Sequence, residues 1–202
     1  MKICGISDIH GDLNISIPEC DVLCICGDVI NLNDQRDIPA SKQWWETRFV
    51  KWVESLPCSK VIVIPGNHDF FLERMYTECW GWFKDRMRRL SNKKLEFLID
   101  ESFYYEDIHF YGTPWINPID FQEGRWAFEN DFNENPVESL TTFLPNCSIL
   151  PFGKTTSNPT TQSLVVPYFT ALIPPAFVEI FPPIVFPLIS HKIFSPCRTP
   201  LH

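Results

Sequence analysis

Residues 60–69 read Lys-Val-Ile-Val-Ile-Pro-Gly-Asn-His-Asp, an apolar run closed by Pro65 and Gly66 and followed at once by ligand chemistry. Two earlier stretches have the same build. Residues 2–7 run into Asp8-Ile9-His10, and residues 21–26 run into Gly27-Asp28. A short apolar run bounded by glycine or proline reads as a buried parallel strand. In open α/β sheets, ligands bind outside the carboxyl ends of such strands. Three strand ends therefore deliver Asp8, His10, Asp28, Asn67 and His68 into one crevice, and that set reads as a metal site of hydrolytic type.

The residue types fit that chemistry. Carboxylate and imidazole together suit Mn, Fe, Zn or Ni, whereas Ca and Mg sites favour oxygen alone. Two divalent ions roughly 3.5–4 Å apart clamp the attacking and leaving oxygens of a phosphoryl displacement. Such a pair needs a bridging carboxylate, and an aspartate on a tight strand-end turn is placed to bridge. Gly27 and Gly66 let the backbone turn where a Cβ would clash. Asn67 adds an amide oxygen without adding charge. Singly, Asp-x-His and Gly-Asp are weak patterns, because both residue types also cap helices and turn loops. The reading rests on all three blocks in this order, each after its own strand.

The blocks D-I-H-G-D at 8–12, C-G-D-V at 26–29 and P-G-N-H-D at 65–69 resemble the first three motifs of the calcineurin-like metallophosphoesterase superfamily. The resemblance implies an α/β sandwich of the αββα type. It implies that Asp8 and His10 hold a first metal, Asp28 bridges, and Asn67 holds a second. His68 is then the general acid or charge stabiliser beside the phosphate, with a metal-bridging hydroxide as nucleophile. The implied substrate is a small phosphodiester or phosphomonoester. Residues 98–101 (L-I-D-E), 108–115 (I-H-F-Y-G-T-P-W) and 125–128 (R-W-A-F) are similar to one branch, the small metallophosphoesterase-domain-containing phosphodiesterases. The resemblance covers residues 1–134, which sets the expected domain and leaves 135–202 as a separate Pro-rich apolar tail.

That tail has a different composition. It holds 12 of the 18 prolines but only 5 of the 42 charged residues, and all seven tryptophans precede it. Stretches such as Pro174-Pro175 and Pro182-Pro183 suit neither helix nor central strand. The family's later histidine blocks, H-x-P-P and G-H-x-H, have no counterpart, since the histidines beyond 109 are His191 and His202. His191 follows no strand-and-glycine turn and reads as a tail residue rather than a substitute ligand. The fold is expected to be incomplete on this side, leaving apolar edges uncovered. Two readings compete: a frameshifted or disordered tail on a truncated, inactive member, or a genuine Pro-rich extension serving interaction or membrane association on a chain that binds metal or a partner. Residues 164–189 carry one charge, Glu179, yet six prolines in that window oppose a membrane helix.

A net charge of −8 offers no general attraction to nucleic acid or anionic membrane. Bound divalent ions would still draw phosphate to the crevice. Of eight cysteines, Cys4, Cys24 and Cys26 sit inside apolar strands as small buried thiols. Cys24-Ile25-Cys26 are expected to alternate to opposite faces, which disfavours joint chelation. No disulfide framework is expected, and the chain enters a strand at once rather than a signal peptide, so the expected setting is cytoplasmic. Oligomeric state is not legible.

Between the motifs, Pro39-Ala40-Ser41 opens a helix to about Leu56 with Ser41 as cap. Trp45, Phe49, Trp52, Val53 and Leu56 form its apolar face and read as core. A second helix is expected from about Phe70 to Leu90, ending in Arg86, Arg88 and Arg89, cations that suit its carboxyl end. Residues 95–99, 103–106 and 109–112 read as short strands. His109 is expected to face solvent or an edge. Trp115 and Arg125-Trp126 read first as loop anchors, with a lid or substrate contact as the alternative.

Overall fold

The computed structural model describes residues 1–119 and 124–130 in full, and residues 162–166, 169–173 and 179–180 as backbone. Strands β1 (Lys2–Ile6), β2 (Val22–Cys26), β3 (Lys60–Ile64) and β4 (Leu95–Phe97) pair in parallel in the order β4-β3-β2-β1. A second, antiparallel sheet contains β5 (Glu101–Tyr105) and β6 (Ile108–Gly112), joined by a turn at Glu106-Asp107. Strands β7 (Gln162–Val166) and β8 (Phe169–Ile173) extend it in the order β5-β6-β8-β7. Strand β9 (Glu179–Ile180) runs parallel to β1 at the edge of the first sheet.

The tail thus contributes backbone to both sheets. The sequence places Pro167 and Pro174 just outside β8, where proline ends a strand rather than interrupting it. The paired prolines of the tail, His191 and His202 lie outside the described residues.

The parallel sheet is buried on both faces. One face, carrying Ile3, Val22, Cys24, Cys26, Ile62 and Ile64, packs against Leu98, Ile108 and Phe110 of the second sheet side. The other, carrying Cys4, Ile6, Leu23, Ile25, Val61 and Val63, packs beneath the helices. These layers form an α/β sandwich of helices on sheet on sheet. Cys24 and Cys26 share the inter-sheet face, with Ile25 opposite, so the expected separation of the two thiols to opposite faces is wrong. A strand's period of two returns residue i+2 to the same side.

Helix α1 (Ile38–Trp44) is capped by Asp37, whose carboxylate accepts from the Ala40 amide at 3.0 Å. Ser41 is not the cap. It is buried, and its hydroxyl donates to the Asp34 carbonyl at 2.7 Å. The helix continues through a π turn (Trp45–Phe49) into α2 (Val50–Ser55). The wider turn brings adjacent Trp44 and Trp45 both inward, at 3% and 0% exposure. Trp45, Phe49, Trp52, Val53 and Leu56 are all core, as their spacing predicts. Each buried aromatic contributes about 1.5–3 kcal/mol.

Helix α3 (Phe70–Leu90) has the expected bounds, with a break from helical geometry at Cys79. Its terminal cations are tied down rather than simply solvated. Arg86 makes a bidentate contact with Glu46 at 2.8 Å, and Arg88 grips Glu96.

Candidate metal centre

The crevice is built by backbone lacing between three strand ends. The Asp8 amide donates to Gly27, His10 to Asp28, and Gly11 to Val29, all at 2.9–3.1 Å. Gly27 in turn donates to Ile64 at 2.9 Å, so the turns after β1, β2 and β3 form one connected lip. A Cβ at Gly66 would collide with the Asp28 carboxylate and amide and with Gly27. Asp8, His10 and Asp28 all adopt left-handed backbone, with φ of 54°, 42° and 53°. Such conformations are uncommon outside glycine, and they cluster at functional sites.

His10, Asp28 and His68 each offer a donor atom, and these atoms lie within 4.8 Å of one another. The His10 and His68 rings meet edge to face, with centroids 4.9 Å apart. Asp28 Oδ1 accepts from the His68 amide at 3.1 Å, and Asp28 Oδ2 lies 3.8 Å from His68 Nε2. Asp8 is close enough to act on the charge of both Asp28 and His68. Asn67 sits on the adjoining turn, where its carbonyl accepts from Ala127 at 3.1 Å.

Burial raises the Asp28 carboxyl above its ordinary value and lowers the His68 imidazole below its own. Both shifts favour the uncharged forms, because desolvation outweighs the mutual attraction of the pair. A cation in the crevice reverses that balance at Asp28. The donor set suits such an ion. It mixes carboxylate with imidazole, and His10 Nδ1 is buried with no hydrogen-bond partner among the described residues.

Three neighbours of the crevice were not singled out by sequence reasoning. Gln35 Oε1 accepts from His68 Nδ1 at 2.5 Å, which leaves Nε2 as the ring nitrogen facing Asp28. Nothing in the spacing around Gln35 points to that contact. Asp69 lies inside the quoted Gly-Asn-His-Asp block, and it is 1% exposed. Its carboxylate accepts from the amides of Gly66 at 2.7 Å and Ile30 at 3.0 Å, pinning the β3 turn to the β2 turn. Burial, followed by the charge of Asp28, pushes its carboxyl up to about 7. Arg36 lies over the rings of Phe70 and Trp126, at 4.2 and 5.0 Å.

The two loop tryptophans differ. Trp115 is an anchor: its Nε1 donates to Asp100 at 2.5 Å and its ring packs on Phe128. Trp126 borders the crevice, with its ring 4.7 Å from that of His68. His109 is half-buried on the outer face of the second sheet, stacked on Tyr104 at 4.3 Å. Its strand is an interior one, between β5 and β8, so the edge placement is excluded.

A family model described as calcineurin-like phosphoesterase matches residues 1–150 of the 202. The match runs past residue 134, where the sequence changes character. No curated protein matches the chain. Among the described residues, no helix is long and apolar enough to cross a membrane.

Proposed function

The chain belongs to the calcineurin-like phosphoesterase family, and from that premise we propose that it hydrolyses a small phosphodiester or phosphomonoester with divalent metal. The observation that carries the proposal is the convergence of His10, Asp28 and His68 donor atoms within 4.8 Å at the ends of parallel strands. Two divalent ions, when bound, would supply Lewis acidity and an activated water.

In this reading, Asp8 and His10 would hold one ion, Asn67 would contribute to a second, and Asp28 would be shared by both. Support comes from the left-handed turns that aim Asp8, His10 and Asp28 from two laced loops. His68 acts as general acid or charge stabiliser. Its Nδ1 is engaged by Gln35, so Nε2 is the atom available to a leaving oxygen. Trp126 shields one side of that imidazole. A place among the small metallophosphoesterase-domain phosphodiesterases, a cytoplasmic setting and the absence of a nucleic-acid partner belong to the same proposal. So does the division of the chain into 1–134 and 135–202.

A second reading is a catalytically inactive member that binds metal or a partner. Its support is the lack of H-x-P-P and G-H-x-H blocks in the sequence, which leaves four proposed protein ligands for two ions. Hydrolysis of a bis-aryl phosphate with added Mn decides between them. The enzyme reading expects metal-dependent turnover that His68→Ala removes. Turnover equal in the two proteins would establish the inactive reading.

A further inference from the structure

The opposite end of the parallel sheet holds a second cluster of reactive groups. Strands β2 and β3 pair with Val22 beside Lys60, and the Asp21 carbonyl accepts from both Ser59 and Lys60, at 3.0 and 3.1 Å. The two chains are therefore still side by side just before the strands begin. At those matching positions stand Cys20 and Cys58. Neighbouring chains in a sheet are about 4.8 Å apart, inside the Cα separation of roughly 4.4–6.8 Å that a disulfide spans. Both side chains pack on the helix-side core, and each thiol lies close enough to the other to act on its ionisation. Cys20 is 6% exposed, whereas Cys58 is half-buried and lines an open depression of about 590 Å³ with Glu19, Leu56 and Pro57.

We propose that Cys20 and Cys58 are a thiol pair that low-molecular-weight disulfides convert into an intramolecular disulfide. The Cys58 sulfur attacks one sulfur of glutathione disulfide, that S–S bond breaks, and one glutathione leaves. The Cys20 sulfur then attacks the Cys58 sulfur of the mixed disulfide and releases the second glutathione. Two electrons pass from the protein thiols to the glutathione sulfurs, and the two thiol protons end on the two glutathiones.

The order of attack follows from the surroundings. Burial raises both thiols, Cys20 to about 12. At Cys58 the Lys94 ammonium and the neighbouring Cys20 thiol oppose that rise. Cys58 is thus the more exposed and the more readily ionised of the two, the properties of an attacking thiol. The resulting bond would close the loop that carries Asp28 and α1, tying the sheet at the end remote from the crevice.

The test is incubation of the full chain with glutathione disulfide, followed by alkylation, digestion and mass mapping. The expected product is a Cys20–Cys58 link, with a thermal midpoint raised by on the order of 5 °C. Cys20→Ser should lose the link and retain one glutathione on Cys58. The proposal is overturned if Cys58 links to another cysteine or stops at the mixed disulfide in the wild-type chain. It is overturned equally if the native chain forms no link under conditions that oxidise the urea-unfolded chain.

Discussion

Every residue of β2 is buried, whereas β5 alternates between half-buried and exposed along its whole length. The first belongs to a parallel sheet covered by helices on one side and by the second sheet on the other. The second belongs to an antiparallel hairpin whose outer face shows Ser102 and Tyr104 to solvent. The contrast separates two tasks. A parallel strand must leave the sheet and cross over before the next begins, so its carboxyl end is an abrupt exit where polar residues gather. The hairpin closes in two residues at Glu106-Asp107 and offers no such exit. The candidate metal ligands of this chain all sit at exits of the first kind.

The most severe test of this division is Trp45→Ala. Trp45 is fully buried against Trp44, Phe49 and Phe97, so its truncation should cost about 3–5 kcal/mol in denaturant unfolding. A cost below about 1 kcal/mol would mean that the helix layer is not fastened through this cluster. Gly66→Ala comes next. The new methyl meets Asp28 and the Gly27 backbone, so a loss of about 1–3 kcal/mol is expected, together with weaker Mn binding by calorimetry. Unchanged binding would show that the two strand ends need not touch to form the site.

A smaller effect is expected at Glu46, which fastens α3 to the first helical layer. The Arg86 hydrogen bonds, with Lys42 beside them, hold its carboxyl below the usual value. A depressed carboxyl adds stability above its unfolded pKa, near 4.3, and that share is lost as pH falls through the lower folded value. Glu46→Gln should therefore lower stability by a constant amount above about pH 4.3 and flatten the acid side of the profile, where variant and wild type converge. An unaltered acid limb would remove Glu46 from the account. The smallest change is expected from Tyr104→Ser in the hairpin. Tyr104 is 69% exposed and only stacks on His109, so unfolding should shift by about 0.5 kcal/mol or less. A loss as large as that at Gly66 would erase the distinction between the two sheets.

The parallel strands were legible because apolar runs ending in glycine or proline have few other uses. Trp45, Phe49, Trp52 and Leu56 identified the buried face of the first helix for the same reason. The π turn was not legible, since Trp44 and Trp45 side by side fit no regular helical face. The cap was misplaced because Ser41 and Asp37 both satisfy the composition of a helix start, and only the register of the first amide separates them. At the crevice, motif order gave His10, Asp28 and His68. Gln35 and Asp69 escaped because each acts through a contact distant in sequence: Gln35 on His68, and Asp69 on Val29 and Ile30. Spacing along a chain carries no record of such pairs.

Asp8, His10 and Asp28 sit where glycine would be easier. For an L-residue, left-handed backbone costs roughly 1–2 kcal/mol, less for aspartate and histidine than for bulkier side chains. Under selection for folding alone, these positions would drift toward glycine, and the fold would gain by it. The three positions therefore make a simple marker for sorting relatives of this chain. Glycine at all three would identify a protein that has kept the architecture and retired from the chemistry.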